Sequence, residues 1–120
     1  MRGYLLAAAL LFVSQNAIAA PASDTLAPKD IQSTFFTGAT FTASATGGLK
    51  YKMTFTTDGK MSRESMGGSG SNSEGSWKLS KDGFCTTWKG SKANCFRIAP
   101  AGDNQWSILK GTTKVATWSK

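Results

Sequence analysis

The 120-residue chain contains no histidine. That removes the usual general base near neutral pH, the Ser-His and Cys-His nucleophile pairs, and the commonest transition-metal ligand. Cysteine is limited to two residues, and without histidine they supply no plausible zinc ligand set. Acidic side chains are also few, seven in all. Asp58, Asp82 and Asp103 have turn-forming neighbours. Asp24 lies in an N-terminal arm, and Asp30 at a helix start, where it suits the helix dipole. Glu64 and Glu74 remain, and acid–base work by a carboxylate pair needs the two held at a defined separation. Glu74 falls in the run Gly67–Ser76, composed of Gly, Ser, Asn and one Glu and expected to be a mobile loop. Such a loop does not hold a catalytic carboxylate. No phosphate loop, dinucleotide fingerprint or calcium loop is present. The expectation is a protein that is not an enzyme and carries no cofactor or metal.

Long apolar runs are missing too. The stretch from Tyr4 to Val13 falls well short of the roughly 20 residues a membrane span needs. Arg2 precedes it, and Ala17-Ile18-Ala19 supplies small residues where a signal peptidase reads. This is the pattern of a secretory signal peptide over residues 1–19, cleaved before Ala20. No cysteine follows the apolar run, so a lipid anchor is not indicated. The expected product has no transmembrane segment and resides in the periplasm or outside the cell. Export takes it away from nucleic acid. A flexible arm over Ala20–Ala27 then leads into one domain, residues 28–120, expected to be a monomer.

Positive charge is plentiful. Removing Arg2 from the 14 Lys and Arg leaves 13 against 7 Asp and Glu, a net charge of +6. Lys50, Lys52, Lys78 and Arg97 alternate with apolar residues, and Lys89 and Lys92 flank the turn at Gly90. Two readings stay open for these six: solvated strand faces that resist edge-to-edge aggregation, or a basic face that attracts an anionic envelope component.

Aromatic patterning carries the fold. Four tryptophans fall between Gly75 and Trp118, and antiparallel strands folded on the turn signals between them place all four on one face. A hairpin on Asp82-Gly83 sets Trp77 opposite Trp88 and Leu79 opposite Thr86. A fold about Gly90 sets Cys85 opposite Cys95 and Phe84 opposite Phe96. Loops near Ala101-Gly102-Asp103 and Gly111-Thr112-Thr113 set Ile98 opposite Trp106, Phe96 opposite Ile108, and Trp106 opposite Trp118. Because side chains alternate along a strand, Trp77, Leu79, Phe84, Trp88, Phe96, Ile98, Trp106, Ile108 and Trp118 then share one side. Two opposed cysteines in an exported chain favour a structural disulfide, Cys85–Cys95.

Upstream, Pro28 and Gly38 bound a short helix over Pro28–Thr37, with Ile31 and Phe35 on one face. Ala39–Ala45 reads as a first strand with Phe41 inward. Leu49, Tyr51, Met53 and Phe55 alternate with Lys50, Lys52 and Thr54 in a second. Thr57-Asp58-Gly59 fits a hairpin loop that sets Met61 opposite Phe55 and starts a third strand toward Met66. The fold class is therefore mainly β: an antiparallel meander of about seven strands with one short N-terminal helix, closing as a small barrel or a sandwich.

The tryptophans fill such a core or, in part, line an aromatic pocket. Trp118, nearest the terminus, is the one expected to be partly exposed and joins the basic residues as a candidate binding residue. The segments Gly75-Ser76-Trp77, Asp82-Gly83-Phe84-Cys85, Trp88 and Cys95-Phe96-Arg97-Ile98 resemble a family of small exported alphaproteobacterial β-proteins of unassigned function. Phe36-Thr37-Gly38-Ala39-Thr40-Phe41 and the strand from Tyr51 to Asp58-Gly59 look like the same family's N-terminal half. The resemblance implies a bacterial periplasmic or secreted β-protein, and its motifs carry no catalytic residue across. Two functions are expected: a non-catalytic envelope binding module for an anionic or amphipathic component, or a periplasmic inhibitor of a hydrolase (protease or lysozyme) that acts on a protein partner with an exposed loop or the N-terminal arm as a plug. The inhibitor reading draws on a likeness of size and class to periplasmic protease and lysozyme inhibitors.

Overall fold

Pro28 fixes its own φ and has no N–H to leave unsatisfied, so it opens helix α1 (Pro28–Phe35) at its first turn. The computed structural model describes residues 24–67 and 72–120. The signal peptide expected over 1–19 and the first part of the arm, residues 20–23, lie outside the described residues. The arm's remainder is held in place: the Leu26 N–H donates to the Ile98 carbonyl at 2.8 Å, and Leu26 packs against the core.

Helix α1 is shorter than expected, ending at Phe35 instead of Thr37. Phe36 leaves helical geometry (φ −101°, ψ 50°) while its N–H still bonds the Gln32 carbonyl. Successive helical residues point about 100° apart, so a continuing helix would aim Phe35 and Phe36 in different directions. Turning out at Phe36 lets both enter the core, where neither is more than 1 % exposed. Lys120 secures the far side of the helix, its Nζ donating to the Thr34 carbonyl at 2.7 Å. A cation there also suits the helix dipole.

Eight strands follow: β1 (Thr40–Ala45), β2 (Lys50–Phe55), β3 (Lys60–Met66), β4 (Ser73–Leu79), β5 (Phe84–Trp88), β6 (Asn94–Gly102), β7 (Gln105–Lys110) and β8 (Thr113–Ser119). They form an antiparallel meander in sequence order, and β1 pairs with β8 to close a barrel. The choice between barrel and sandwich thus falls to the barrel, with one strand more than the expected seven. Part of the extra pairing comes from the glycine-serine run. Instead of forming one loop over Gly67–Ser76, its last residues build β4, with Ser73 opposite Arg63 and Ser76 opposite Lys60. The reason is Gly75: a Cβ there would lie 2.3 Å from the Thr87 carbonyl oxygen. The glycine is a requirement of close strand approach, not a mark of mobility.

The inward face holds every one of the nine residues expected on it, either buried or packed against the buried cluster. Two hairpins pair differently. Trp77 faces Thr86 and Leu79 faces Phe84, because the β4–β5 turn centres on Lys81-Asp82 and closes with the Ser80 N–H on the Gly83 carbonyl. Ile98 faces Ile108, with Pro100 opposite Trp106 and a bulge between Pro100 and Gly102. Both shifts are two residues, which preserves the face. Phe55 with Met61, Phe84 with Phe96 and Trp106 with Trp118 pair as expected. Leu49 does not belong to the inward set; it precedes β2 and is exposed.

Helix α1 plugs one end of the barrel. Phe35 meets Phe41, Trp106 and Trp118 edge-on at 4.9 to 5.1 Å between centroids. Phe36 stacks on Phe55 at 4.6 Å and tilts against Trp77 at 4.4 Å. The Trp77 indole N–H donates to the Thr56 carbonyl at 2.8 Å, so its polar edge is satisfied at that end. In the β2–β3 turn the Thr56 hydroxyl donates to the Asp58 carboxylate, which holds that acid below its ordinary range. The outer face carries Lys, Ser, Thr and Glu on alternate positions, the reverse of a lipid-facing barrel. Among the described residues no helix is long and apolar enough to cross a membrane.

Cys85 and Cys95 form the expected disulfide on the outer face, across directly paired positions with Cα atoms 3.9 Å apart. It closes a short loop, and the chain-entropy relation gives about 2.5–3 kcal/mol of stabilisation. Urea denaturation with and without reductant should differ by that amount. Equal midpoints would show that the reduced chain already keeps β5 and β6 together.

Candidate functional site

The helix occupies one end of the barrel; the other end is where the side chains become small. Along β1 the inward positions run Phe41, Ala43, Ala45, and the inward end of β8 runs Trp118, Ala116. Ala45 is paired directly with Ala116. A bulge at Ile108/Leu109 leaves Val115 without a partner on β7 and turns it toward the interior beside Ala116. Tyr51, on β2, stands beside Ala43, and Thr86 and Phe96 line the cavity from β5 and β6. The difference in size leaves an interior cavity of about 190 Å³. Phe55, Phe84 and Trp118 form its floor, and they are packed on the helix plug behind. An eight-stranded barrel has an interior just wide enough either to be filled or to hold one small ligand. Here the helix half is filled and the mouth half is not.

Arg63 stands at the mouth. It follows Met61 by two residues on β3 and therefore points inward. Its guanidinium carbon lies 4.7 Å from the Tyr51 ring centroid and 4.4 Å from that of Trp88, over both rings. Its Nε is buried and has no hydrogen-bond partner among the described residues. Arg63 and Trp88 also line a larger open hollow, about 1030 Å³, on the outer side of β2, β3 and β4. That hollow presents Lys52, Glu64, Glu74 and Lys89, charges of both signs, whereas the interior cavity is lined mainly by apolar and aromatic side chains and is the better site for a ligand. Among the described residues no group of His, Cys, Asp or Glu is placed to hold a metal.

The residues singled out from sequence are scattered. Lys50, Lys89 and Lys92 surround the mouth, Lys52 lies in the outer hollow, and Lys78 sits toward the plugged end. Arg97 is engaged structurally, since its guanidinium donates to the Gly111 carbonyl at 2.7 Å and ties β6 to the β7–β8 turn. Trp118 is not the partly exposed indole it was expected to be. It is 3 % exposed, because closure of β8 on β1 turns the last strand into an interior one; it contributes to the cavity as floor. Glu64 and Glu74 are brought closer than expected, on adjacent strands, but both are exposed on the outer face.

The barrel is electrostatically lopsided. All five aspartates lie on the plugged half, because Asp58, Asp82 and Asp103 occupy its hairpin turns and Asp24 and Asp30 the approach to α1 and its first turn. Lys29, Lys60, Lys78, Lys81 and Lys120 balance them. The turns at the mouth use glycine instead of aspartate. That half carries Lys50, Lys52, Arg63, Lys89, Lys92, Arg97, Lys110 and Lys114 against only Glu64 and Glu74. The net charge of the domain therefore sits around the cavity's entrance.

Sequence reasoning passed over Arg63, Ala43, Ala45 and Ala116. A signal for each was present: Arg63 is in phase with Met61, and the alanines are in phase with Phe41 and Trp118. What was missing was the knowledge that these positions meet at one end. Compared with family models, with curated proteins and with solved structures, the chain matches none of them.

Proposed function

We propose that this protein is a small, exported, non-catalytic binding module of the bacterial cell envelope that takes part of an amphipathic or anionic component into its barrel. The observation that carries the reading is the 190 Å³ cavity lined by aromatic and aliphatic side chains with one cation, Arg63, among them. A site that is apolar and aromatic with a few placed polar groups is the usual form of a small-molecule pocket. The positive mouth raises the local concentration of anions and speeds their encounter. The aromatic pocket is favoured over a basic binding face because Lys52 and Lys78 lie apart from Lys50, Lys89 and Lys92, so the lysines marked by the sequence form no single patch. Glu64 and Glu74 both stand in solvent, without the contrast in surroundings that divides acid from base. The disulfide suits an oxidising compartment.

The hydrolase-inhibitor reading has less support where it uses the arm Ala20–Ala27 as a plug, since Leu26 is engaged by the barrel itself.

Titration of the mature protein with hexanoate and with benzyl alcohol, followed by tryptophan emission, tests the proposal. At least one should give a saturable change, since Trp88 and Trp118 both line the cavity. Ala116→Leu adds three carbons to the thin wall and is expected to abolish the response while leaving the fold and its stability within about 1 kcal/mol. A linear, unsaturable response, or one untouched by Ala116→Leu, would remove the cavity from consideration.

A further inference from the structure

Resting on that cavity reading, we infer that Arg63 is the residue that recognises the ligand's head group, and that the ligand is a small aromatic or short-chain carboxylate. Three observations converge on this. The first is the unmet donor. Tyr51 and Trp88 offer ring faces to the guanidinium, which stabilise its charge but give Nε no directional acceptor. Nε is nonetheless buried and has no acceptor among the described residues, and a buried charged donor in that state carries a substantial desolvation cost. A carboxylate is acceptor-only and can take two guanidinium N–H groups at once. The acidic side chains that share the outer hollow with it, Glu64 on β3 and Glu74 on β4, are both exposed on the outer face.

The second observation is position. Arg63 lines the cavity and the outer hollow alike, so a group bound to it lies where a ligand passes from solvent to interior. Its head would remain at the mouth while its apolar part points toward Trp118.

The third is size. A cavity of about 150 Å³ walled by aliphatic and aromatic side chains takes up one benzene, and this one measures about 190 Å³. That leaves room for one ring, or a comparable short chain, beside the carboxylate. The floor gives no extension, because Phe55 and Phe84 are packed against Phe36 of the plug. A long acyl tail would have to stay in solvent.

The test compares acid with amide on the mature, disulfide-bonded protein: benzoate against benzamide and hexanoate against hexanamide, by calorimetry and tryptophan emission. The acids should bind about tenfold tighter or more. Arg63→Met should erase that preference, and Arg63→Lys should keep only part of it, because an ammonium lacks the two-pronged donor. Palmitate should bind no tighter than hexanoate. Equal affinity for acid and amide in the wild type overturns the role of Arg63 and leaves the cavity reading standing. Failure of all four small probes overturns both. A clear preference for palmitate overturns the size limit. The wild-type comparison decides the matter even if the Arg63 variants do not fold.

Discussion

Replacing Phe36 by alanine should destabilise the protein by about 3–5 kcal/mol, the range for removing a buried aromatic from a packed core. Phe36 is fully buried and stands at the centre of the plug. Its ring stacks on Phe55 with an interplanar angle of 8°, lies 4.4 Å from Trp77, and meets Phe84 edge-on at 5.5 Å. Three strands thus lose a shared partner at once, and the helix loses the residue that turns into the barrel. The site cannot collapse easily, since the surrounding rings are held by β2, β4 and β5. Urea denaturation gives the value, with Leu49→Ala as the comparison, because Leu49 is 43 % exposed and surface changes of that kind stay within about 0.5 kcal/mol. A loss below about 1 kcal/mol for Phe36→Ala would mean that the helix rests on the barrel without plugging it.

Gly83→Ala should be nearly as costly, about 3 kcal/mol, at the upper end of overpacking effects. A Cβ at Gly83 would lie 1.9 Å from the Phe96 carbonyl oxygen and 3.0 Å from its carbon. The obstacle is backbone, so no rotamer change relieves it; β5 and β6 must part. They are also joined next door by Cys85–Cys95, which resists the parting and adds strain to whichever arrangement results. Gly47→Ala is the matched control: a Cβ there meets nothing within 4 Å. It should be neutral or slightly stabilising, by up to about 1 kcal/mol through the unfolded chain. If both substitutions have the same small effect, the β5–β6 approach is looser than described.

These two residues illustrate what could be read in advance. Phe36 was visible only as a residue inside the helix expected over Pro28–Thr37, and Gly83 as half of an Asp-Gly turn signal. Neither role was. Gly83 follows the turn and serves strand approach; the turn itself centres one residue earlier. Gly75 shows the same error at larger scale, since a composition that suggests a loop also suits a strand whose neighbour comes within contact distance.

Alternation of apolar and polar residues determined which side chains face inward, and it did so even where two hairpins pair two residues away from expectation, because a period of two is blind to a shift of two. The mainly β class, the short helix and the Cys85–Cys95 bridge were set by the same local rules. The tertiary structure alone decided that β8 returns to β1, and with that closure everything specific to the site. Trp118 became floor instead of rim, three alanines from strands at the two ends of the sheet came together in one cavity with Tyr51 and Phe96, and Arg63 was left over two rings with its Nε unmet among the described residues. A cavity is a difference between side-chain volumes on strands that are far apart in the chain. Nothing local encodes that difference; only the ring of hydrogen-bonded strands brings its terms together.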